Sequence, residues 1–227
     1  MTAAEASSSG VDATAAGSSK DQEQGPSAAL KQLVTRWMGS RWAGSRPKLL
    51  VWDFDRTIVG RHTFSEGVEP EEVASHWRDD ILDLTMFRSF VETAKKQGIA
   101  VGIASYGRQD IILEYMKQIW PEKPPFDTSN VITPEALGLP DGSSWPGGKP
   151  QMLDKLCERF CPGIDFSKVE NKKHIIFFDD DSENIDEAHH AGYVRSFHVP
   201  NGFIQAAIEH IDGGAGTGVK HNPCLIS

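Results

Sequence analysis

Two aspartates near the end of the first quarter of the chain have a spacing that could support chemistry. Asp53 and Asp55 follow the apolar run Leu49–Trp52 directly. Residues two apart in a β-strand point to the same face, so both carboxylates would share one face at the end of a strand. Two such anions repel each other and are costly to bury. The cost is explained if a cation lies between them or if they share acid and base work; an Asp-rich turn without function is the alternative.

Polar residues also end two other apolar runs. Residues 99–104 lead to Ser105, and residues 174–178 lead to Asp179 and Asp180. Ligands of open parallel sheets bind beyond the carboxyl ends of the strands, so these ends predict one shared site. Taken singly, the serine could cap a helix and the acids could form a solvated turn. The coincidence of all three ends favours a functional interpretation.

Strands and helices must alternate along the chain to bring these ends together. The predicted strands are residues 49–52, 99–104, 130–133, 174–178 and 193–199. The predicted helices are residues 28–38, 70–77, 82–97, 109–120, 149–161, 185–190 and 202–211, with residues 134–148 and 164–172 irregular. This alternation, with apolar strands throughout, predicts an α/β domain whose mostly parallel sheet is covered by helices on both faces.

Length and composition limit the classes of protein to consider. A chain of 227 residues accommodates one sizeable domain. The formal net charge of -9 argues against a broad nucleic-acid footprint and against attraction to anionic membranes. Three cysteines give no disulfide framework and suit a reducing compartment; Cys157 and Cys161, one helical turn apart, are interpreted as packing residues rather than metal ligands.

The two ends of the chain differ in composition from its middle. Residues 1–27 hold few large apolar side chains and are predicted to be disordered. Residues 28–212 form the predicted domain, and residues 213–227 are predicted to be a flexible tail. The last four residues are Cys224, Leu225, Ile226 and Ser227. They match the pattern for farnesyl transfer in a eukaryotic cell, with a chance ending as the alternative. One prenyl chain anchors weakly, so a mainly cytoplasmic protein with reversible membrane contact is expected.

The sequence resembles the haloacid dehalogenase-like superfamily at four motifs, which occur in the order of that family. The matched residues, from the first motif to the fourth, are Asp53, Asp55 and Thr57; Ser105; Lys149; and Asp179 and Asp180 with Asn184. Lys155 is the nearest competitor for the third motif. The resemblance implies a Rossmannoid three-layer sandwich with five strands in the order 5-4-1-2-3 and the first motif on the central strand.

The same resemblance implies a Mg²⁺-dependent phosphomonoester hydrolase. Asp53 would attack phosphorus and form an aspartyl-phosphate, while Asp55 would act as general acid and then as general base. The other implied roles are phosphate binding by Thr57, Ser105 and Lys149, metal binding by Asp53, the main-chain carbonyl of Asp55 and Asp180, and support from Asp179 and Asn184. Asp181 is interpreted as an ordinary solvated acid, because the family pattern uses two.

Other functional classes stay open. A non-catalytic domain of the same fold could bind a phosphorylated partner, and a phosphomutase would need a cap domain to exclude water. The family inserts caps at the segments that correspond to residues 60–98 and 107–149. The first holds a loop and about two predicted helices, and the second a helix, a short strand and a loop, which is too little for a large cap, so a minimal or absent cap and an open site are predicted. An open site admits a phosphoprotein as well as a small molecule. The chain departs from many relatives at Arg56, which could add a phosphate contact or narrow the entrance.

Overall fold

The structure is a computed structural model that describes residues 26–39, 42, 45–139 and 147–214. Most of the two predicted tails, including the Cys224 motif, lies outside the described residues. The segment 140–146 of the predicted loop does so as well. The predictions for these parts of the chain therefore stay predictions.

The regular elements follow the predicted alternation, with boundaries shifted by a few residues. The strands are β1 (Leu49–Trp52), β2 (Ala100–Ala104), β3 (Val131–Ile132), β4 (Ile175–Asp179) and β5 (Ser196–His198). The helices are α1 (Ala28–Met38), α2 (Pro70–Asp80), α3 (Leu84–Lys96), α4 (Gln109–Ile119), α5 (Gly148–Phe160), α6 (Val169–Lys172), α7 (Ser182–His190) and α8 (Gln205–Gly214).

Two segments predicted to be irregular contain short helices, and there the prediction was wrong. Residues 164–172 include α6, and residues 134–148 include a 3₁₀ turn at Glu135–Leu137. Both are about one turn long, which is too short for an apolar face to repeat along the sequence. The sequence therefore carries no periodic apolar pattern that would have indicated these two short helices.

The five strands form one sheet in the order β3-β2-β1-β4-β5, and every pair in it is parallel. Read from the opposite edge, this is the predicted order 5-4-1-2-3. Strand β1 is central and ends at Trp52, which is paired with Ile103 of β2 and Phe178 of β4. The polar residues that follow these three positions therefore emerge at the same edge of the sheet.

Helices pack on both faces of the sheet, as the apolar strands predict. Alternate residues of β1 enter different cores because successive side chains of a strand point to opposite faces. Leu50 and Trp52 join a core that includes side chains of α1, α3 and α8. Leu49 and Val51 join a second core with side chains of α5 and α7. With both faces covered, the strand ends are where the sheet can present polar groups to a ligand.

Candidate active site

The carboxyl ends of β1, β2 and β4 meet at a small cleft of about 150 Å³. Six of the residues predicted from the sequence line it: Asp53, Asp55, Ser105, Lys149, Asp180 and Asn184. The remaining two, Thr57 and Asp179, are fully buried beside it. The structure therefore brings the predicted residues of all four motifs to one place.

The position of Lys149 in the cleft is set by the first residues of α5 and the glycine that precedes the helix. Gly147 and Gly148 both have positive φ, a backbone conformation that glycine adopts more easily than other residues. The next residue projects into the buried site with 1% of its side chain exposed. The competing candidate Lys155 is on the surface and pairs with Glu158.

The ammonium group of Lys149 contacts two of the acids. Its Nζ atom donates to Asp53 Oδ1 at 2.5 Å and to the Ala104 carbonyl at 2.7 Å, and it lies 3.2 Å from Asp179 Oδ2. Burial alone would lower the pKa of Lys149, but the carboxylates of Asp179 and Asp53 outweigh it and raise that pKa. Lys149 therefore stays a cation.

Negative charge is in excess at this point. The carboxylates of Asp53, Asp179 and Asp180 have ligand atoms within 4.8 Å of one another. Burial raises the pKa of Asp53, the charge of Lys149 opposes the rise, and nearby Asp179 adds to it. Burial and Asp179 also raise the pKa of Asp180. One ammonium does not balance three carboxylates, and a divalent cation with a preference for oxygen ligands fits the residual charge.

The second acidic pair is held by its neighbours. Asp179 accepts hydrogen bonds from the side-chain amide of Asn184 at 3.0 and 3.1 Å and from the Asp181 N–H at 2.9 Å. Asp180 is tied to the loop after β1 because its N–H donates to Thr57 Oγ1 at 3.0 Å, and the Thr57 hydroxyl is 3.3 Å from Asp180 Oδ1. Thr57 thus orients Asp180 in this structure and does not line the cleft, where the resemblance implied a phosphate contact.

Asp181 has a local structural role. Its carboxylate accepts the N–H of Glu183 at 2.8 Å and caps the start of α7. The sequence interpretation of Asp181 as an ordinary acid missed this cap. The first turn of α7 was missed with it, because the residues of that turn carry no apolar pattern.

Asp55 has two partners that sequence reasoning did not single out. The Thr63 hydroxyl donates to Asp55 Oδ1 at 2.7 Å, and His62 Nδ1 lies 3.3 Å from Asp55 Oδ2. Both partners come from the loop after β1. Their only sequence signal is that they are polar residues soon after the first motif. They fix the Asp55 carboxylate at the wall of the cleft.

The end of β2 supplies a hydroxyl and an aromatic ring. Ser105 Oγ accepts the N–H of Gly107 at 3.1 Å, which leaves the hydroxyl hydrogen to donate elsewhere. The ring centroid of Tyr106 lies 4.8 Å from Lys149 Nζ, so the ring covers one side of the ammonium. Burial raises the pKa of Tyr106. Its place directly after Ser105 at a strand end is the signal that could have indicated it.

Arg56 lies at the exposed rim of the same cleft. Its φ is 58°, and it is the one non-glycine residue in the described ranges with positive φ. This conformation costs an L-residue about 1 to 2 kcal/mol. The turn is closed by a hydrogen bond of 3.1 Å from the Arg56 N–H to the Arg61 carbonyl. The backbone of the loop therefore fixes the position from which the Arg56 side chain extends.

Fold and site define an α/β domain with a parallel sheet and an acidic, lysine-containing cleft at the carboxyl end of its strands. No protein-family model matches the chain, and a comparison with curated proteins finds no match. None of the helices in the described ranges combines the length and the apolar character that a membrane crossing requires.

Proposed function

We propose that this protein is a Mg²⁺-dependent phosphomonoester hydrolase of the haloacid dehalogenase type. The observation that carries the proposal is the pairing of the Asp53 carboxylate with Lys149 inside a cluster of further acids. Phosphoryl transfer depends on positioned charge rather than on elaborate covalent chemistry, and this cluster supplies both signs of charge. The resemblance to the family at four motifs points the same way.

In the proposed reaction Asp53 is the nucleophile. Its carboxylate oxygen forms a bond to phosphorus while the bond from phosphorus to the leaving oxygen breaks, and Asp55 gives that oxygen a proton. Asp55 then takes a proton from water as the water attacks phosphorus, which releases phosphate and restores the Asp53 carboxylate. Thr63 and His62 hold the Asp55 carboxylate for both steps.

The other groups bind and orient the phosphate. Ser105 donates its free hydroxyl hydrogen to a phosphate oxygen, and Lys149 balances the charge of phosphate and nucleophile. Asp53, Asp180 and the main-chain carbonyl of Asp55 would hold Mg²⁺, which neutralises charge on the phosphate when bound. Asp179 and Asn184 keep Lys149 and the turn after β4 in place.

The proposal is tested by phosphate release from phenyl phosphate with Mg²⁺ and with EDTA. We expect turnover with Mg²⁺ and none after chelation, because the excess negative charge of the site would otherwise repel the substrate. Undiminished turnover in EDTA would contradict the metal requirement. The variant Asp53→Asn is expected to lose at least about 10³-fold in kcat while circular dichroism stays unchanged.

Asp181→Asn is the matched control for that variant. It makes the same change of charge at the same cleft, and asparagine caps a helix about as well as aspartate. It should keep kcat within about threefold of the parent, a change too small to be the loss of a catalytic group. Equal losses in both variants would mean that general charge, not a nucleophile, is responsible. Binding of phosphorylated ligands without any turnover would favour the non-catalytic binding domain instead.

A further inference from the structure

Arg56 carries a charged side chain that the proposed chemistry does not use. It is exposed, lines the cleft, and lies next in sequence to Asp55. Its guanidinium makes no hydrogen bond or ion pair with any residue in the described part of the chain. Four carboxylates line the same cleft, those of Asp53, Asp55, Asp180 and Asp181. The Arg56 guanidinium is therefore available to a ligand in the cleft.

Two other arginines near this loop are already neutralised by protein carboxylates. Their partners are Glu66 and Asp80 for Arg61, and Glu69 and Asp110 for Arg108. All four of these ion pairs have N–O distances between 2.7 and 3.6 Å. Arg56 differs from both because its guanidinium has no carboxylate partner in the described part of the chain. It also has a left-handed backbone conformation that glycine would adopt more easily. Its unpaired charge is the feature that distinguishes it.

The two cations of the cleft lie at different depths. Lys149 is at the base with 1% of its side chain exposed, in contact with the proposed nucleophile. Arg56 is exposed at the rim beside Asp55, the residue proposed to protonate the leaving oxygen. A phosphate bound at the base is served by Lys149 and Ser105. An anion bound by Arg56 would therefore belong to the leaving-group part of the substrate.

We infer that Arg56 selects small organic phosphates that carry a second anionic group, a carboxylate or another phosphate, on the leaving-group side. The planar guanidinium matches the two oxygens of such a group and can donate to both. The inference rests on the proposed phosphatase function, because it assigns the base of the cleft to the transferred phosphate. It makes Arg56 a specificity-determining residue rather than a catalytic one.

The test compares phenyl phosphate with 4-carboxyphenyl phosphate, and fructose 6-phosphate with fructose 1,6-bisphosphate. The parent protein should prefer the member with the second anion by at least about tenfold in kcat/KM, mainly through KM, since one charge-assisted pair is worth about that factor. The two pairs show which anion is preferred. Arg56→Asn, whose asparagine tolerates the left-handed conformation, should reduce the preference to near one. Arg56→Lys should keep part of it.

The phenyl phosphate rate separates this inference from the proposed function. Arg56→Asn should leave kcat for phenyl phosphate within about threefold, since that substrate has no second anion for Arg56 to bind. A parent protein without preference, or a preference that survives in Arg56→Asn, would overturn the assignment of Arg56. If no substrate is hydrolysed, the proposed function fails. The assignment of Arg56 is then tested by calorimetric Kd values for the same two pairs of phosphate compounds. A Kd that is about tenfold lower for the compound with the second anion, and a loss of this difference in Arg56→Asn, would support the assignment. Equal Kd values for both members of each pair in the parent protein would reject it.

Discussion

Two buried lysines show how this fold uses the same side chain in different ways. Lys149 lies beside the ring of Tyr106 and pairs with Asp53 and Asp179. Lys172 lies 4.4 Å from the ring centroid of Tyr193 and pairs with Asp154 at 3.3 Å. Each therefore combines an aromatic ring with a carboxylate, and burial alone does not distinguish them.

The balance of charge does distinguish them. At Lys172 one ammonium meets one carboxylate, and the Tyr193 hydroxyl completes the network with a hydrogen bond of 2.5 Å to Asp154. At Lys149 one ammonium meets a cluster of acids that it cannot neutralise. A balanced network is typical of structural support, whereas uncompensated charge at a cleft is typical of functional sites.

Cavity size alone would favour Lys172 over the lysine of the proposed site. The groove beside Lys172 has a volume of about 530 Å³, and the cleft at Lys149 has about 150 Å³. A small cleft suffices for a phosphate group because the rest of a substrate can stay outside. The proposed function therefore rests on charge and on the strand ends rather than on cavity volume.

Of the two lysines, Lys149 is expected to show the larger effect when it is replaced by methionine. Without the ammonium the transferring phosphate loses a charge partner, and kcat should fall by about 10² to 10³-fold. The buried carboxylates of Asp53 and Asp179 are also left without a cation, which should lower the free energy of unfolding in EDTA by about 3 kcal/mol. Steady-state kinetics and urea unfolding measure the two effects. A kcat within tenfold of the parent would remove Lys149 from the proposed mechanism.

Lys172→Met should separate stability from activity. Methionine keeps the apolar stem over the ring of Tyr193 but removes the ion pair with Asp154. Because about half of the Asp154 side chain is exposed, water offsets the loss, and we expect about 1 kcal/mol in urea unfolding. The rate on phenyl phosphate should stay within about twofold, since Lys172 is outside the cleft. A large loss of activity would mean that the two networks are not independent.

An effect of similar size to that of Lys172→Met is an alkaline loss of stability from the Lys172 network. Burial raises the pKa of Cys157 to about 12, from an ordinary value of 9.0, and the hydrogen bond with the Tyr193 hydroxyl opposes part of the rise. The folded protein thus keeps a proton that the unfolded chain loses, so this contribution is complete below pH 9 and disappears as the pH rises toward 12. Between pH 8.5 and 10 the thiol should account for a loss of about 1 kcal/mol.

Cys157→Ala is the control for this pH effect. Tyr115, whose pKa burial also raises, titrates in both proteins, so its share cancels in the comparison. Tyr193 contacts the thiol, and burial together with Cys157 raises the pKa of Tyr193, so the comparison reports on the pair of Cys157 and Tyr193. Urea unfolding at both pH values should show a shallower decline in Cys157→Ala. Parallel declines would show that the Cys157 thiol is not responsible.

The sequence predicted the strands and the acids at their ends well, because both depend on local chemistry. The run Leu49–Trp52 is apolar without interruption, and the pair Asp53 and Asp55 ends it, so strand and site were visible together. Parallel order then follows from the alternation with helices. These parts of the prediction needed no information on long-range contacts.

The parts that could not be predicted depend on contacts between distant segments. Thr57 bonds to Asp180, which is far along the chain, and no local pattern distinguishes that contact from one with phosphate. The choice between Lys149 and Lys155 for the third motif became clear only from the turn that starts α5 and directs Lys149 into the cleft. His62 and Thr63 lie in a loop without periodicity, so their approach to Asp55 appears only in three dimensions.

Helix α5 carries Lys149 in its first turn and both Asp154 and Cys157 further along. This one helix therefore fixes the orientation of the Lys149 side chain relative to those of Asp154 and Cys157, which belong to two otherwise separate clusters. Each residue of an α-helix advances by about 100° around the axis. Inserting or deleting a single residue between Lys149 and Asp154 would rotate one cluster away from its partners, whereas the same change on the surface loop after Pro121 would be absorbed. Length variation among related chains should accordingly be absent from this part of α5.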